Sequence, residues 1–295
     1  MRAIKYNFSK IDAKKYPLVK EINRLIHASF EDIKNKKYEN TTVIPQKGKE
    51  ICETLKAEAR KNKDEHIANL SFLFKVYFDS LISISKFWEL CEKSEYQDAW
   101  HHLQGALQNI QIIKGFVDDE SQLSIDKIYA YLHNIEELYP YACFLSVEMI
   151  CKKRTCSICK KSVFDPDCDH IAGDLYWGEM ALQVVGDIEF IGTSLVENPI
   201  DKRCVILMHE DKNKLEEGPF KAIHCLIKNS KIPLRNFEIS ITKRKLPRSF
   251  YEHWSKDSFC PCGSRKKFKD CCYKNEFIFN PHYQLLIKEP ITLKF

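Results

Sequence analysis

The chain has 295 residues, of which 44% are hydrophobic, and a formal net charge of +5. This length is enough for one large domain or two modest ones with real hydrophobic cores. No run of about 18 apolar residues occurs and the first residues lack the apolar core of a signal peptide, so we expect no membrane insertion and a folded protein in the cytoplasm.

The first half of the chain is dominated by helical periodicity. Apolar residues recur at helical spacing in four segments, residues 17–36, 74–88, 96–116 and 124–138. We expect these segments to pack as a helical bundle that forms a first domain over residues 1–150. Residues 38–48, which contain Pro45, are predicted to form a loop between the early helices.

The hydrophobic pattern of the sequence changes after residue 150. Short runs rich in Val and Ile alternate with turn signals, and one helix is predicted over residues 220–228, after Gly218-Pro219. We expect a small zinc-bearing α+β domain over residues 151–248, followed by a zinc knuckle and an apolar tail over residues 249–295. The predicted fold class is therefore α+β, with an N-terminal helical bundle and a C-terminal zinc knuckle.

Thirteen cysteines are present, an odd number, and several stand in short spacings. Such spacings suit metal binding better than a secreted disulfide framework. The pair Cys260-Pro-Cys262 precedes the pair Cys271-Cys272, with Gly263-Ser264 as a turn between them. Two close pairs separated by a turn are what a tetrahedral zinc site requires, so these four thiolates are predicted to bind zinc.

A second set of four candidate ligands stands earlier in the chain. Cys156 and Cys159 form a Cys-x-x-Cys pair, and Cys168 and His170 follow after a turn at residues 165–167. We predict a second structural zinc site here, which makes two ions per chain. Iron is the alternative metal at either site, because thiolates accept both.

The residues around the last cysteines resemble a known element. The run Cys-Pro-Cys-Gly-Ser-x-Lys-Lys-Phe-Lys-x-Cys-Cys resembles the SEC-C motif, the zinc-binding element at the C-terminus of the SecA translocation ATPase. The resemblance covers only residues 260–273, and the rest of the chain has no SecA-like P-loop. The motif usually has Gly where Arg265 stands, a difference that affects the turn and not the ligands.

In SecA this element binds the acidic chaperone SecB, so the resemblance implies that the knuckle docks a SecB-like chaperone or another acidic protein surface. The residues expected to contact that partner are Arg265, Lys266, Lys267, Phe268 and Lys269. Ten Lys or Arg against three acidic residues between positions 243 and 274 agree with an acidic partner, and nucleic acid is an alternative.

The tail over residues 277–295 also has the aromatic and aliphatic character of segments that SecB-type chaperones hold. Its alternative role is to add a strand to the protein's own sheet. Our leading hypothesis is a non-enzymatic zinc-binding adaptor, serving as an antitoxin or phage-defence component of a toxin–antitoxin–chaperone system with an antiviral role.

An enzymatic alternative centres on the pair Asp169-His170. An Asp-His pair after Cys-x-x-Cys resembles the HNH nuclease pattern, in which the His activates water beside a catalytic metal. The chain lacks the second Cys-x-x-Cys and the downstream Asn and His of that pattern. A metal-dependent nuclease therefore stands second to the adaptor.

Overall fold

The computed structural model describes residues 4–207, 218–230, 232–264 and 266–294. The chain forms two compact units, one comprising Met1–Arg235 with Pro290–Phe295 and the other Asn236–Glu289. We refer to the first as the main unit and to the second as the knuckle unit. The described residues contain six α-helices, mostly in the N-terminal half, followed by small antiparallel sheets and a C-terminal cysteine cluster, which confirms the predicted α+β class.

Five helices build the first half of the main unit. They are α1 (Leu18–Lys34), α2 (Asn40–Lys61), α3 (Glu65–Glu92), α4 (Tyr96–Phe116) and α5 (Ile125–Glu136). In α1, for example, the apolar residues Ile22, Ile26 and Phe30 lie on one face and are buried. The predicted helical bundle is thus present.

The predicted loop over residues 38–48 is wrong, because α2 begins at Asn40 and contains Pro45. The buried face of α2 packs against α3 so closely that a Cβ on Gly48 would lie 2.3 Å from Cζ of Phe78. Proline and glycine normally disfavour helix interiors. Here the burial of the α2 face overrides that local preference.

Helix α3 is the core helix of the bundle. Its length and composition would suffice to cross a membrane, but 72% of its most apolar 18-residue window is buried inside the fold. The helix begins after Asp64, whose carboxylate accepts a hydrogen bond from the N–H of Ile67. Its apolar character therefore reflects packing over most of its surface, and Lys75, Asp79, Lys86 and Glu89 form a partly exposed polar stripe.

Two small sheets and a sixth helix complete the main unit. Strands β1 (Phe144–Cys156) and β4 (Gln183–Val196) form a long antiparallel ribbon, and β2 (Leu175–Tyr176) pairs with β3 (Glu179–Met180) in a short hairpin. The predicted helix after Gly218-Pro219 is α6 (Lys221–Ser230). In the sequence, the first cysteine cluster begins at the end of β1 and precedes the hairpin, and β4 follows the hairpin.

The knuckle unit is built on a second ribbon, of β5 (Arg235–Pro247) and β6 (Phe277–Pro290). Lys288 pairs with Glu238 near one end and Lys245 lies 4.0 Å from the ring centroid of Phe277 near the other, so the two strands run antiparallel. Most of the apolar tail therefore forms a strand of the protein's own sheet, the alternative left open by the sequence.

The last residues of the chain return to the main unit. The N–H of Ile291 donates to the carbonyl of Leu234 at 2.8 Å, and the hydroxyl of Ser124 donates to the carbonyl of Thr292 at 2.7 Å. Ile291 is buried. Ile291 and Thr292 are thus a packed part of the main unit.

Candidate metal centres

Among the described residues, the structure brings together two groups of side chains that could hold a metal ion. The first centre comprises Cys156, Cys159, Cys168 and His170, and the second centre comprises Cys260, Cys262, Cys271 and Cys272. Within each group, all four ligand atoms lie within 4.8 Å of one another. These are the same eight residues that the spacing in the sequence singles out.

The sulfur separations fit a shared ion better than covalent pairing. In the first centre the Sγ atoms of Cys159 and Cys168 are 3.5 Å apart, and in the second Cys271 Sγ lies 3.6 Å from Cys262 Sγ and from Cys272 Sγ. A disulfide would need about 2.05 Å. Four sulfurs held at about 2.3 Å from a tetrahedral zinc ion stand about 3.8 Å apart, close to what is observed.

The end of β1 positions the first ligand pair. Cys156 is buried, and its N–H donates to the carbonyl of Lys161 at 2.8 Å, which closes a turn around the Cys-x-x-Cys segment. The N–H of Ile158 points at Cys156 Sγ at 3.4 Å. Hydrogen bonds from the backbone N–H groups of Cys159 and Ile158 lower the pKa of the Cys156 thiol, which favours the thiolate that a metal needs.

A tight turn then brings the second ligand pair back. The carboxylate of Asp165 accepts the N–H of Asp167 at 2.9 Å, and its carbonyl accepts the N–H of Cys168 at 3.0 Å. His170 follows, with Nδ1 4.0 Å from Cys168 Sγ. Its ring packs edge-on against the ring of Tyr176 at 4.7 Å, which fixes the orientation of the imidazole.

Tyr176 links the first centre to the helical bundle. Its hydroxyl accepts the N–H of Ile171 at 2.8 Å, next to the ligand His170. Tyr176 ends strand β2, and in the hairpin turn that follows the N–H of Gly178 donates to the buried amide oxygen of Asn69 at 2.6 Å. The amide group of Asn69 donates in turn to the hydroxyl of Tyr6 at 2.8 Å.

Charged residues of α2 and α3 hold the same hairpin. Arg60 donates to the carboxylate of Glu179 at 2.7 Å and to the carbonyl of Trp177 at 2.9 Å, and Glu65 accepts the N–H of Trp177 at 3.1 Å. The β2–β3 hairpin therefore connects the first centre to the bundle through side-chain ion pairs and through hydrogen bonds to its backbone.

The second centre is organised by a short turn and a small core. The N–H of Gly263 donates to the carbonyl of Cys260 at 3.1 Å, and Gly263 has a φ of +78°, which only glycine adopts without strain. The N–H of Cys260 donates to the carbonyl of Lys266 at 2.7 Å. Buried Tyr251, Phe268 and Ile278 pack around Cys260.

The thiols of the second centre differ in acidity. Burial raises the pKa of Cys262, but hydrogen bonds from Ser264 and Cys260 outweigh it and bring that pKa to about 6. Burial and the neighbouring sulfurs raise the pKa of Cys272 instead. Four thiols this close cannot all ionise without a cation, so metal binding here releases protons.

The comparison with known proteins adds no relative. No protein-family model, curated protein or solved structure matches this chain.

The residues predicted to contact a partner differ in their exposure. Lys266, Lys267 and Lys269 are exposed, and Lys269 pairs with Asp257 at 2.7 Å. Phe268 is only 1% exposed, so it holds the core of the knuckle unit and is not presented to a partner. The last predicted residue, Arg265, lies outside the described residues.

Sequence reasoning missed the residues that anchor the first centre. Asn69 lies inside a helix with no motif around it, and only its hydrogen bond from the distant Gly178 reveals its role. Tyr176 and Gly178 stand in a Tyr-Trp-Gly-Glu segment, where the glycine was an available turn signal. The exposed Asp169 stands beside the candidate ligand His170 and is not itself one of the four clustered residues.

Proposed function

We propose that this protein is a two-zinc adaptor, in which the first centre holds the fold and the second presents a basic docking surface. The observation that carries this proposal is the composition of the two clusters: three cysteines with one histidine in the first and four cysteines in the second, with all ligand atoms of each within 4.8 Å. Four soft or borderline ligands in one cluster match closed structural zinc sites, whereas catalytic zinc sites keep a position open for water.

A structural role for the first centre agrees with its place in the main unit. Cys156 ends β1, and the hairpin that follows His170 is bonded to α2 and α3. An ion shared by the four side chains would fix the end of the β1–β4 ribbon relative to the bundle. Metal binding would then contribute to folding directly.

The docking role of the second centre is supported by its surface charge. Lys266, Lys267 and Lys269 project from the loop between its two ligand pairs, and all three are exposed. A compact basic loop suits an acidic protein surface through long-range attraction and charged hydrogen bonds. Together with the resemblance to the SEC-C motif, this supports a SecB-like chaperone as the partner, in a toxin–antitoxin or phage-defence setting.

The basic loop supports docking better than the tail does. Strand β6 (Phe277–Pro290) is paired with β5, and Ile278 is buried in the core of the knuckle unit. A chaperone that holds extended segments would first have to separate β6 from its partner strand. The exposed lysines need no such rearrangement.

The docking proposal is tested by capture of a purified SecB-like chaperone on the immobilised zinc-loaded protein. Replacement of Lys266, Lys267 and Lys269 by Glu should abolish capture, because it turns attraction into repulsion. The matched control carries the same charge change in the main unit, at the exposed residues Lys20, Lys61 and Lys63. Equal capture by both variants, or no capture by the unaltered protein, refutes the docking proposal.

The nuclease alternative has less support from the site. His170 is one of the four clustered side chains, and a neutral imidazole that binds a structural metal through one nitrogen carries its proton on the other, so it cannot accept a proton from water. Incubation with DNA or RNA and Mg²⁺ or Mn²⁺ should therefore give no cleavage. Cleavage that disappears in Asp169→Asn, with the zinc content unchanged, would establish the nuclease and overturn the non-enzymatic adaptor.

A further inference from the structure

The β1–β4 ribbon has one face made of apolar side chains. Side chains alternate between the two faces of a strand, so the register of the ribbon assigns each residue to a face. Met149 stands opposite Phe190, Leu145 opposite Leu195, and Cys151 opposite Ile188. The residues on this apolar face are Leu145, Val147, Met149, Cys151, Val184, Ile188, Phe190, Thr193 and Leu195.

The other face of the ribbon is mostly polar. Lys152 pairs with Glu189 at 2.7 Å, and the hydroxyl of Ser194 donates to the carboxylate of Glu148. Ile150 and Val185 are apolar exceptions on this polar face, and Ile191 stands at the bulge. The ribbon is thus amphipathic, in the pattern of an antiparallel sheet that is covered on one side only.

The large apolar side chains of the apolar face are exposed, whereas an antiparallel sheet that is covered on one side buries such side chains. Their exposed fractions run from 41% for Leu145 to 65% for Phe190. The ribbon is held at its two ends, because Phe144 is 3% and Cys156 4% exposed. A two-stranded ribbon is at best marginally stable without a covering layer, and an apolar patch of this size marks an interaction surface.

We propose that this face packs against the same face of a second copy of the chain, which makes the protein a homodimer. The seven exposed apolar residues of this face offer roughly 700 Å², close to the ~800 Å² that each partner contributes to a standard stable interface. The pair Met149 and Phe190 lies near the middle of both strands, so a twofold axis there places like residues against like residues. Lys153, near the metal-centre end of the same face, falls at the rim, where charge remains hydrated.

The dimer is independent of the docking role of the knuckle unit, since it uses only residues of the main unit. Its central contact is the large Phe190 side chain, the type of residue that dominates interface energies. Face-to-face packing of two such ribbons would give a four-stranded, two-layer arrangement with a shared apolar core.

Sedimentation equilibrium of the full zinc-loaded chain tests the dimer. The unaltered protein should have twice the 34.7 kDa mass of one chain. Met149→Asp places a charge on the apolar face and should weaken dimerisation at least ~100-fold, because an unpaired buried charge is strongly unfavourable. Ile150→Asp is the matched control, because Ile150 is next to Met149 and 50% exposed but lies on the polar face. The Ile150→Asp variant should remain dimeric.

Circular dichroism and zinc content, equal in both variants, show that neither change unfolds the main unit. A monomeric unaltered protein over about 1 to 100 µM, where a standard interface should form, overturns the proposal. So does a Met149→Asp variant that stays dimeric, or an Ile150→Asp variant that dissociates as fully as Met149→Asp.

Discussion

Replacement of Gly178 by Ala should loosen the hairpin that ties the first metal centre to the bundle. Gly178 has a φ of +79°, which costs a non-glycine residue about 1–2 kcal/mol. The new Cβ would also lie 2.6 Å from the carbonyl oxygen of Ala68, a backbone atom that cannot simply rotate away. Relief of that contact would break the buried bond from Gly178 to Asn69, worth about 1–3 kcal/mol.

The two contributions together predict a loss of about 2–5 kcal/mol in the free energy of unfolding. Gly173→Ala is the matched control, because Gly173 has a φ of +94° but a Cβ there would meet nothing within 4 Å. It should lose only the backbone part, about 1–2 kcal/mol. Urea denaturation of the zinc-loaded variants, followed by circular dichroism, measures both, and equal losses would refute the close contact at Gly178.

Three further changes probe the centres and the bundle. Tyr176→Phe removes the acceptor for Ile171 beside the first centre, and should weaken zinc retention there about 10–100-fold in competition with a chelator; unchanged retention would contradict the anchoring role. Cys271→Ser should release one zinc ion. Because the core of the knuckle unit is too small to fold alone, its backbone amides should then undergo fast hydrogen exchange while those of the bundle stay protected. Slow exchange in both units would contradict this. Burial raises the pKa of Glu136, but hydrogen-bond donors including Lys202 outweigh burial and hold that pKa below 4.5. The charged Glu136 carboxylate therefore stabilises the fold above pH 4.5, and this stabilisation is lost as the pH falls. Glu136→Gln should therefore cost about 1 kcal/mol at pH 7 and less below pH 4, and a pH-independent difference would contradict this sign.

The metal ligands could be predicted from the sequence because their chemistry is local. The pairs Cys156 with Cys159 and Cys271 with Cys272 are close in the chain, so a turn is enough to bring their sulfurs together. The bundle was predictable for a similar reason, since helical periodicity repeats within a few residues. Both features depend on short-range patterns.

The features that escaped prediction depend on contacts between distant segments. Helix α2 contains Pro45 and Gly48, which in the sequence indicate a loop. Only the structure shows that the ring of Phe78 fills the space beside Gly48. The anchor residue Asn69 is recognised only once Gly178, more than a hundred residues away, is placed beside it. The burial of Phe268 likewise depends on β6, which follows the knuckle in the chain.

The apolar face of the β1–β4 ribbon also could not be predicted from the sequence. The runs around residues 182–191 were recognisable as strand-forming, but their apolar face becomes visible only when β1 and β4 are paired in register and the bulge between Glu148 and Met149 is included. A bulge shifts the alternation of one strand by one residue. Here the extra residue is Ile191 of β4, so pattern counting along β4 alone assigns part of that strand to the wrong face.

The central claim is that each of the two clusters holds one zinc ion. Elemental analysis of the purified protein measures it most directly, with Cys159→Ser and Cys271→Ser as variants that each lose a ligand from one centre. We expect two zinc ions per chain in the unaltered protein and one in each variant. One ion or none in the unaltered protein, or two retained in either variant, would contradict the two-zinc proposal.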